Sequence, residues 1–85
     1  MNRKEILDEL KKILAPYTLD KEQLDGINEE TDLIKDLKIN SANLVDIALD
    51  VEEEFDIVID NEAMERMLTV GSSIDVIIEK LAEKI

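Results

Sequence analysis

Residues 37–60, LKINSANLVDIALDVEEEFDIVID, decide how this chain is read. Within them Leu44, Ile47, Ala48, Val51 and Phe55 fall in one narrow sector of a helical wheel. That spacing predicts a helix over about residues 41–55, with this sector as its core face. A second stripe runs through Ser41, Val45, Leu49 and Glu52. Val45 and Leu49 are then apolar residues near the surface, bordered by Asp46, Asp50, Glu52 and Glu53. One exposed apolar side chain needs no explanation. Two aligned behind Ser41 and ringed by acids suggest a docking strip. After Lys38 the stretch holds no Lys or Arg.

Ser41 stands at the head of the predicted helix. Ser and Asn are favoured there because a side-chain oxygen accepts one of the orphan backbone N–H groups. Here Asn40 can do the capping, leaving Ser41 as the first helical residue with its hydroxyl toward solvent. Free N–H groups and the helix dipole favour a phosphate at such a place, and Lys38 adds a positive charge.

On the N-terminal side, residues 3–14 place Ile6, Leu7, Leu10, Ile13 and Leu14 on one stripe, predicting an amphipathic helix. Pro16 ends it, because the residue before a proline is pushed out of the α region. Residues 17–36 show no clean period. They predict a long loop with one short helical turn, pinned to the core by Leu24, Ile27, Leu33, Ile34 and Leu37. Loops of that length are uncommon in compact domains and point to function. On the C-terminal side, DIVID (residues 56–60) alternates like a strand but has no partner, so an extended connection is expected. A short helix over about 61–67 follows, capped by Asp60 or Asn61. A last helix over 69–84 buries Ile74, Ile77, Ile78, Leu81 and Ile85 and carries Gly71 in its first turn. The sum is an all-α domain, a small bundle of three main helices plus one short helix, with the long loop after the first. No repeat, linker or low-complexity segment divides residues 1–85.

Composition narrows the function classes. Eighty-five residues make one domain with a simple core, and with 2% aromatics that core is built from Leu, Ile and Val around Phe55 and Tyr17. Twenty-two acids against ten bases give a net charge of −12. Nucleic acid and anionic lipid surfaces should repel such a chain. A partner should instead present a basic patch. There is no Cys and no His, so the chain supplies no thiolate nucleophile, imidazole base or Cys/His zinc site. The acidic runs do not fit an EF-hand loop: counted from Asp20, position 6 is Asp25, and from Asp36 it is Ser41 rather than Gly. Loose association of divalent cations with the acidic faces is compatible with the charge, but no metal site is predicted. Phosphate-loop and nucleophile-elbow motifs are absent, and a bundle of this size offers little cleft, so the chain is not expected to be an enzyme. The start MNRKEILDEL lacks an apolar signal core and no 18-residue apolar run occurs, which predicts a cytoplasmic monomer.

The run DLKINSANLVDIALDVEEEFDIVID resembles the central segment of acyl carrier proteins, which carry D-S-L at the head of their second helix after a D-L-G turn. The resemblance extends over nearly the whole chain, through TDLIKDL, NEAMERM and the final TV-led helix. It implies that Ser41 bears 4′-phosphopantetheine taken from coenzyme A, whose thiol carries acyl groups as thioesters. A chain without Cys would thereby gain thiol chemistry. Asp36 and Leu37 match the turn. Val45, Asp46, Leu49, Glu52 and Glu53 match partner-facing positions, and Lys38 and Ala42 are expected to face partners too although they depart from the family's residues. Ile47, Val51 and Phe55 match core positions flanking the acyl cavity. The implied partners are a phosphopantetheinyl transferase and acyl-transferring or acyl-modifying enzymes with basic patches, in fatty acid, lipid or polyketide-type biosynthesis. Three departures stand out: Asn40 replaces the usual Asp, Ala42 the usual Leu, and Lys38 the usual small turn residue. They suggest a specialised carrier. Ser72 and Ser73 are rival serines whose position fits capping. The alternatives are an acidic interaction module with no prosthetic group, or a carrier of amino acids.

Overall fold

The computed structural model describes residues 2–84. Its elements are α1 (Arg3–Leu14), α2 (Lys21–Asp25), a 3-10 turn (Ser41–Asn43), α3 (Leu44–Phe55), α4 (Asn61–Glu65) and α5 (Val70–Glu83). The three long helices match the predicted periods because each has one apolar face to bury. Ile6, Leu10 and Leu14 of α1 meet Ile47, Val51 and Phe55 of α3 and Val70, Ile74 and Ile77 of α5 in one core. The helix starts are capped locally. Asn2 Oδ1 accepts the Glu5 N–H while the Glu5 carboxylate accepts that of Asn2. Thr69 and Ser72 form the equivalent box on α5.

Three expectations are corrected. The loop after α1 contains a true short helix, α2, capped by Asp20, where a single turn was expected; Leu24 alone anchors its buried side. On α5, Ile78 lies at the exposed edge, while Ser73 and Val76 are buried. The helix buries a wider arc than its amphipathic stripe, because the long loop crosses its first turn as well as α1 packing along it. Ile34 is only half-buried, whereas Leu33, Leu37 and Ile39 hold the loop to the core. Ile85 lies outside the described residues. The extended reading of 56–60 holds: Ile57 is buried, Val58 points out and Ile59 is half-buried.

The long loop is ordered by its own polar side chains. Buried Thr18 donates its hydroxyl to the Leu37 carbonyl at 2.6 Å and accepts the Asp20 N–H at 3.1 Å. Asp32 Oδ1 accepts the N–H groups of Ile34 and Lys35, and Asp36 Oδ2 accepts that of Asp32. The loop then runs antiparallel to residues 68–71. Leu33 N–H bonds Leu68 O, Val70 N–H bonds Thr31 O, and Gly71 N–H bonds Glu29 O at 2.9 Å. The last contact explains Gly71: a Cβ there would sit 2.8 Å from Glu29 O, closer than any side chain tolerates. Arg3 closes the same corner by bonding the Glu29 carboxylate and, at 2.8 Å, Asp75. The hydrogen bond from Arg3 holds the Glu29 carboxyl below its usual range.

Candidate functional site

The loop delivers the chain to α3 through a strained residue. Lys38 has φ +55°, the left-handed region, which costs a side-chain-bearing residue about 1–2 kcal/mol. It stands where the resemblance expects a small turn residue, and of these glycine, with no Cβ, bears that conformation without cost. Ile39 then turns into the core, with its N–H on Leu33 O. Asn40 is extended and its Oδ1 accepts the Ala42 N–H at 2.9 Å. Ser41 opens a 3-10 turn rather than the α-helix itself; α3 proper begins at Leu44. Because Asn40 takes the capping role, the Ser41 hydroxyl is not needed by the backbone.

Tyr17 donates to Asp50 Oδ2 at 2.6 Å. Thr18 bonds Leu37 O, Thr31 accepts the Asn28 N–H, and Thr69 accepts the Ser72 N–H. Ser72 and Ser73 both donate to Thr69 O, which accounts for these two rival serines. Among the described residues, Ser41 carries the one aliphatic or phenolic hydroxyl that makes no hydrogen bond to the protein, and the residue is exposed.

Behind Ser41 the predicted strip is present. Val45 is 51% and Leu49 53% exposed, and Ala42, Asp46 and Glu53 are also exposed. No ion pair among the described residues involves Asp46 or Glu53, so their charge faces water. Glu52 departs from the expectation. It is half-buried, and its Oε2 accepts the Ile59 N–H at 2.6 Å while its carbonyl accepts that of Ile57. The reason is the end of α3: Asp56 adopts φ +53°, which folds the extended connection back along the last turn. Residues 39–65 contain nine acids and no base. The crowding shows next door, where a hydrogen bond to Glu9 pushes the Glu54 carboxyl above its usual range. The Asp50 hydrogen bond, with some burial, raises the Tyr17 phenol to about 12.

Ile47, Val51 and Phe55 are packed in the core, together with Ala48 on the same face. Among the described residues no three carboxylates converge into a metal site, and no helix is long and apolar enough to cross a membrane. Sequence reasoning did not find four features of this region. They are the left-handed Lys38, the Tyr17–Asp50 bond, the engagement of Glu52, and the isolated exposure of Leu19. Only the last left a local trace, as a lone apolar residue between Thr18 and Asp20.

No protein-family model matches the chain. Curated relatives do. It is 38% identical over 85 residues to the acyl carrier protein of Coprothermobacter proteolyticus, covering 99% of this chain and 100% of that one. It is 37% identical over 76 residues to the acyl carrier protein of Picosynechococcus, covering 89% and 91%. Among solved structures, the crystal structure of the Thermotoga maritima acyl carrier protein superposes with a TM-score of 0.82 at 27% identity, over 100% of this chain and 96% of that one.

Proposed function

The chain belongs to the acyl carrier protein family, and on that premise we propose that Ser41 is where its 4′-phosphopantetheine group is attached. The family's role is carriage of acyl groups rather than catalysis. The observation that supports Ser41 is chemical: it is exposed, unbonded and placed at the head of α3, while every other hydroxyl among the described residues is engaged. Joining the group there as a phosphodiester removes no hydrogen bond from the fold. The group supplies the thiol that a chain without Cys lacks, so that acyl cargo is held as a thioester.

The surrounding residues divide the remaining work. Asn40 keeps the turn capped whether or not Ser41 is modified. Lys38, three residues before Ser41 and without an ion pair among the described residues, supplies a positive charge for a phosphate there. Val45 and Leu49 give a partner an apolar strip, and Asp46 and Glu53 offer unpaired charge to basic side chains around it. The partners on this reading are a phosphopantetheinyl transferase and the acyl-handling enzymes of fatty acid or related lipid synthesis. Steering by net charge −12 makes their association fast and sensitive to salt.

The test is intact mass before and after incubation with coenzyme A and a broad-specificity phosphopantetheinyl transferase. A gain of one phosphopantetheine, lost in Ser41→Ala, is expected. Ser41→Ala should keep its folding stability to within about 0.5 kcal/mol, as a surface change with no bond to lose. A gain that persists in the variant would move the site elsewhere. No gain in the unchanged chain would favour an interaction module.

A further inference from the structure

A depression of about 470 Å³ opens beside Ser41, on the side of the first loop, lined by Tyr17, Leu19, Lys38, Asn40 and Asn43. Three of these residues are unpartnered, each in a different chemical way. Lys38 makes no ion pair among the described residues, although the chain has more than twice as many acids as bases. Asn43 precedes α3 yet its carboxamide makes no capping bond. Leu19 is 84% exposed, the most exposed large apolar residue described. The other two are fixed: Tyr17 is held by Asp50, and Asn40 by the Ala42 N–H. The depression therefore has two hydrogen-bonded lining residues and three free groups, one cationic, one amide and one apolar.

One of the two left-handed side-chain-bearing residues lies at the same place, the other being Asp56 at the end of α3. Lys38 stays left-handed at a cost that a glycine would avoid. Strain of this kind persists where the surroundings demand it, and its location is a pointer to function.

Resting on the Ser41 reading, we propose that this depression is a resting site for the prosthetic arm, with Lys38 pairing with its phosphodiester, Asn43 bonding its first amide and Leu19 covering its geminal methyl groups. The occupant is chosen by tether and by match. The arm begins at the residue between Asn40 and Ala42, so its local concentration at the depression is very high. Its order of groups from the attachment point is anion, apolar, amide, and the depression offers a partner for each. The arm would thus be parked on the first-loop side of the carrier, away from the Val45–Leu49 strip, leaving that strip clear for a docking enzyme.

The experiment is solution NMR on the holo protein, after intact mass has shown the one-phosphopantetheine gain. That first step fails if the Ser41 reading fails, and the two outcomes stay separate. Expected are nuclear Overhauser contacts between the geminal methyls of the arm and the Leu19 methyls. Amide shifts at Tyr17, Leu19 and Asn43 relative to the apo protein should accompany them. Leu19→Ser should return the Tyr17 and Asn43 amides toward their apo shifts, and Lys38→Gln should move the phosphorus resonance and weaken the Leu19 contacts. Leu19 lies outside the docking strip, so its replacement leaves loading available. A loaded protein whose arm shows no contact to Leu19, with residues 17, 19 and 43 at their apo shifts, overturns the proposal. So does a loaded Leu19→Ser protein whose Tyr17 and Asn43 amides keep the shifts of the unchanged loaded protein.

Discussion

Two corners of this bundle are built on opposite terms. Where the long loop crosses α5, nearly every polar group is spent. Arg3 holds Glu29 and Asp75, Gly71 and Val70 donate to loop carbonyls, and the hydroxyls of Thr69, Ser72 and Ser73 bond one another or the backbone. At the head of α3 the opposite holds. Ser41 has a free hydroxyl, the side chains of Lys38 and Asn43 have no partners, Val45 and Leu49 face water, and the backbone at Lys38 is left-handed. Satisfied groups resist being displaced, because removing one partner leaves the other unpaired. Free groups give up only water when they meet a new partner. The first corner is therefore a clasp, and the second keeps the free groups that the proposed attachment at Ser41 would use.

The contrast can be broken most forcefully at the clasp. Gly71→Ala places a Cβ 2.8 Å from Glu29 O. The helix gains roughly 1 kcal/mol of propensity from such a change in the open, but here overpacking against backbone should dominate, at about 1–3 kcal/mol. The expected outcome is a melting temperature lower by several degrees, measured by circular dichroism; a higher one would mean that the loop moves away freely.

At the site, the capping role belongs to Asn40 rather than Ser41. Asn40→Ala should cost about 0.5–2 kcal/mol, in contrast to the near-silent Ser41→Ala. Equal effects in urea titrations of the two variants would erase the distinction between a structural and a free side chain.

Relieving strain at the site should do the reverse of adding it at the clasp. Lys38→Gly removes the left-handed penalty but frees the unfolded chain, for a net gain of about 0.5–1 kcal/mol. Urea midpoints of the two proteins decide it. If the variant is less stable, Lys38 is contributing contacts that offset its backbone conformation.

The smallest expected effect joins the two halves of the molecule through Tyr17. Its phenol is raised from 10.0 to about 12 in the folded state by Asp50. A raised folded value means that the contribution is complete below the unfolded value near 10 and is lost as pH rises through about 12. Thermal melts between pH 9 and 12 should therefore fall more steeply for the unchanged protein than for Tyr17→Phe. Parallel curves would show that the bond to Asp50 does not persist in solution.

The order and faces of the long helices were legible in residues 3–14, 41–55 and 69–84 because a helix is a local repeat, and the spacing of Leu44, Ile47, Val51 and Phe55 states which side is buried. The candidate serine was legible for the same reason: Asn40 and Ser41 stand at the boundary where that repeat begins. The net charge of −12 and the absence of Cys and His also bounded the chemistry before any fold was known. What the spacing could not decide was which side chains are already occupied. Glu52 sits on the outward stripe of the wheel, yet its carboxylate is taken by Ile59 N–H seven residues away, because Asp56 turns the chain back on itself. Gly71 looks like a weak point in a helix until Glu29, 42 positions earlier, is laid against it. Lys38 looks like a solvent-facing charge until its φ is known. Sequence alone settled which residues repeat, because that is a property of neighbours along the chain. Only the tertiary structure decided which groups are spent and which are free, because a hydrogen bond has two ends and the second one here lies in another element.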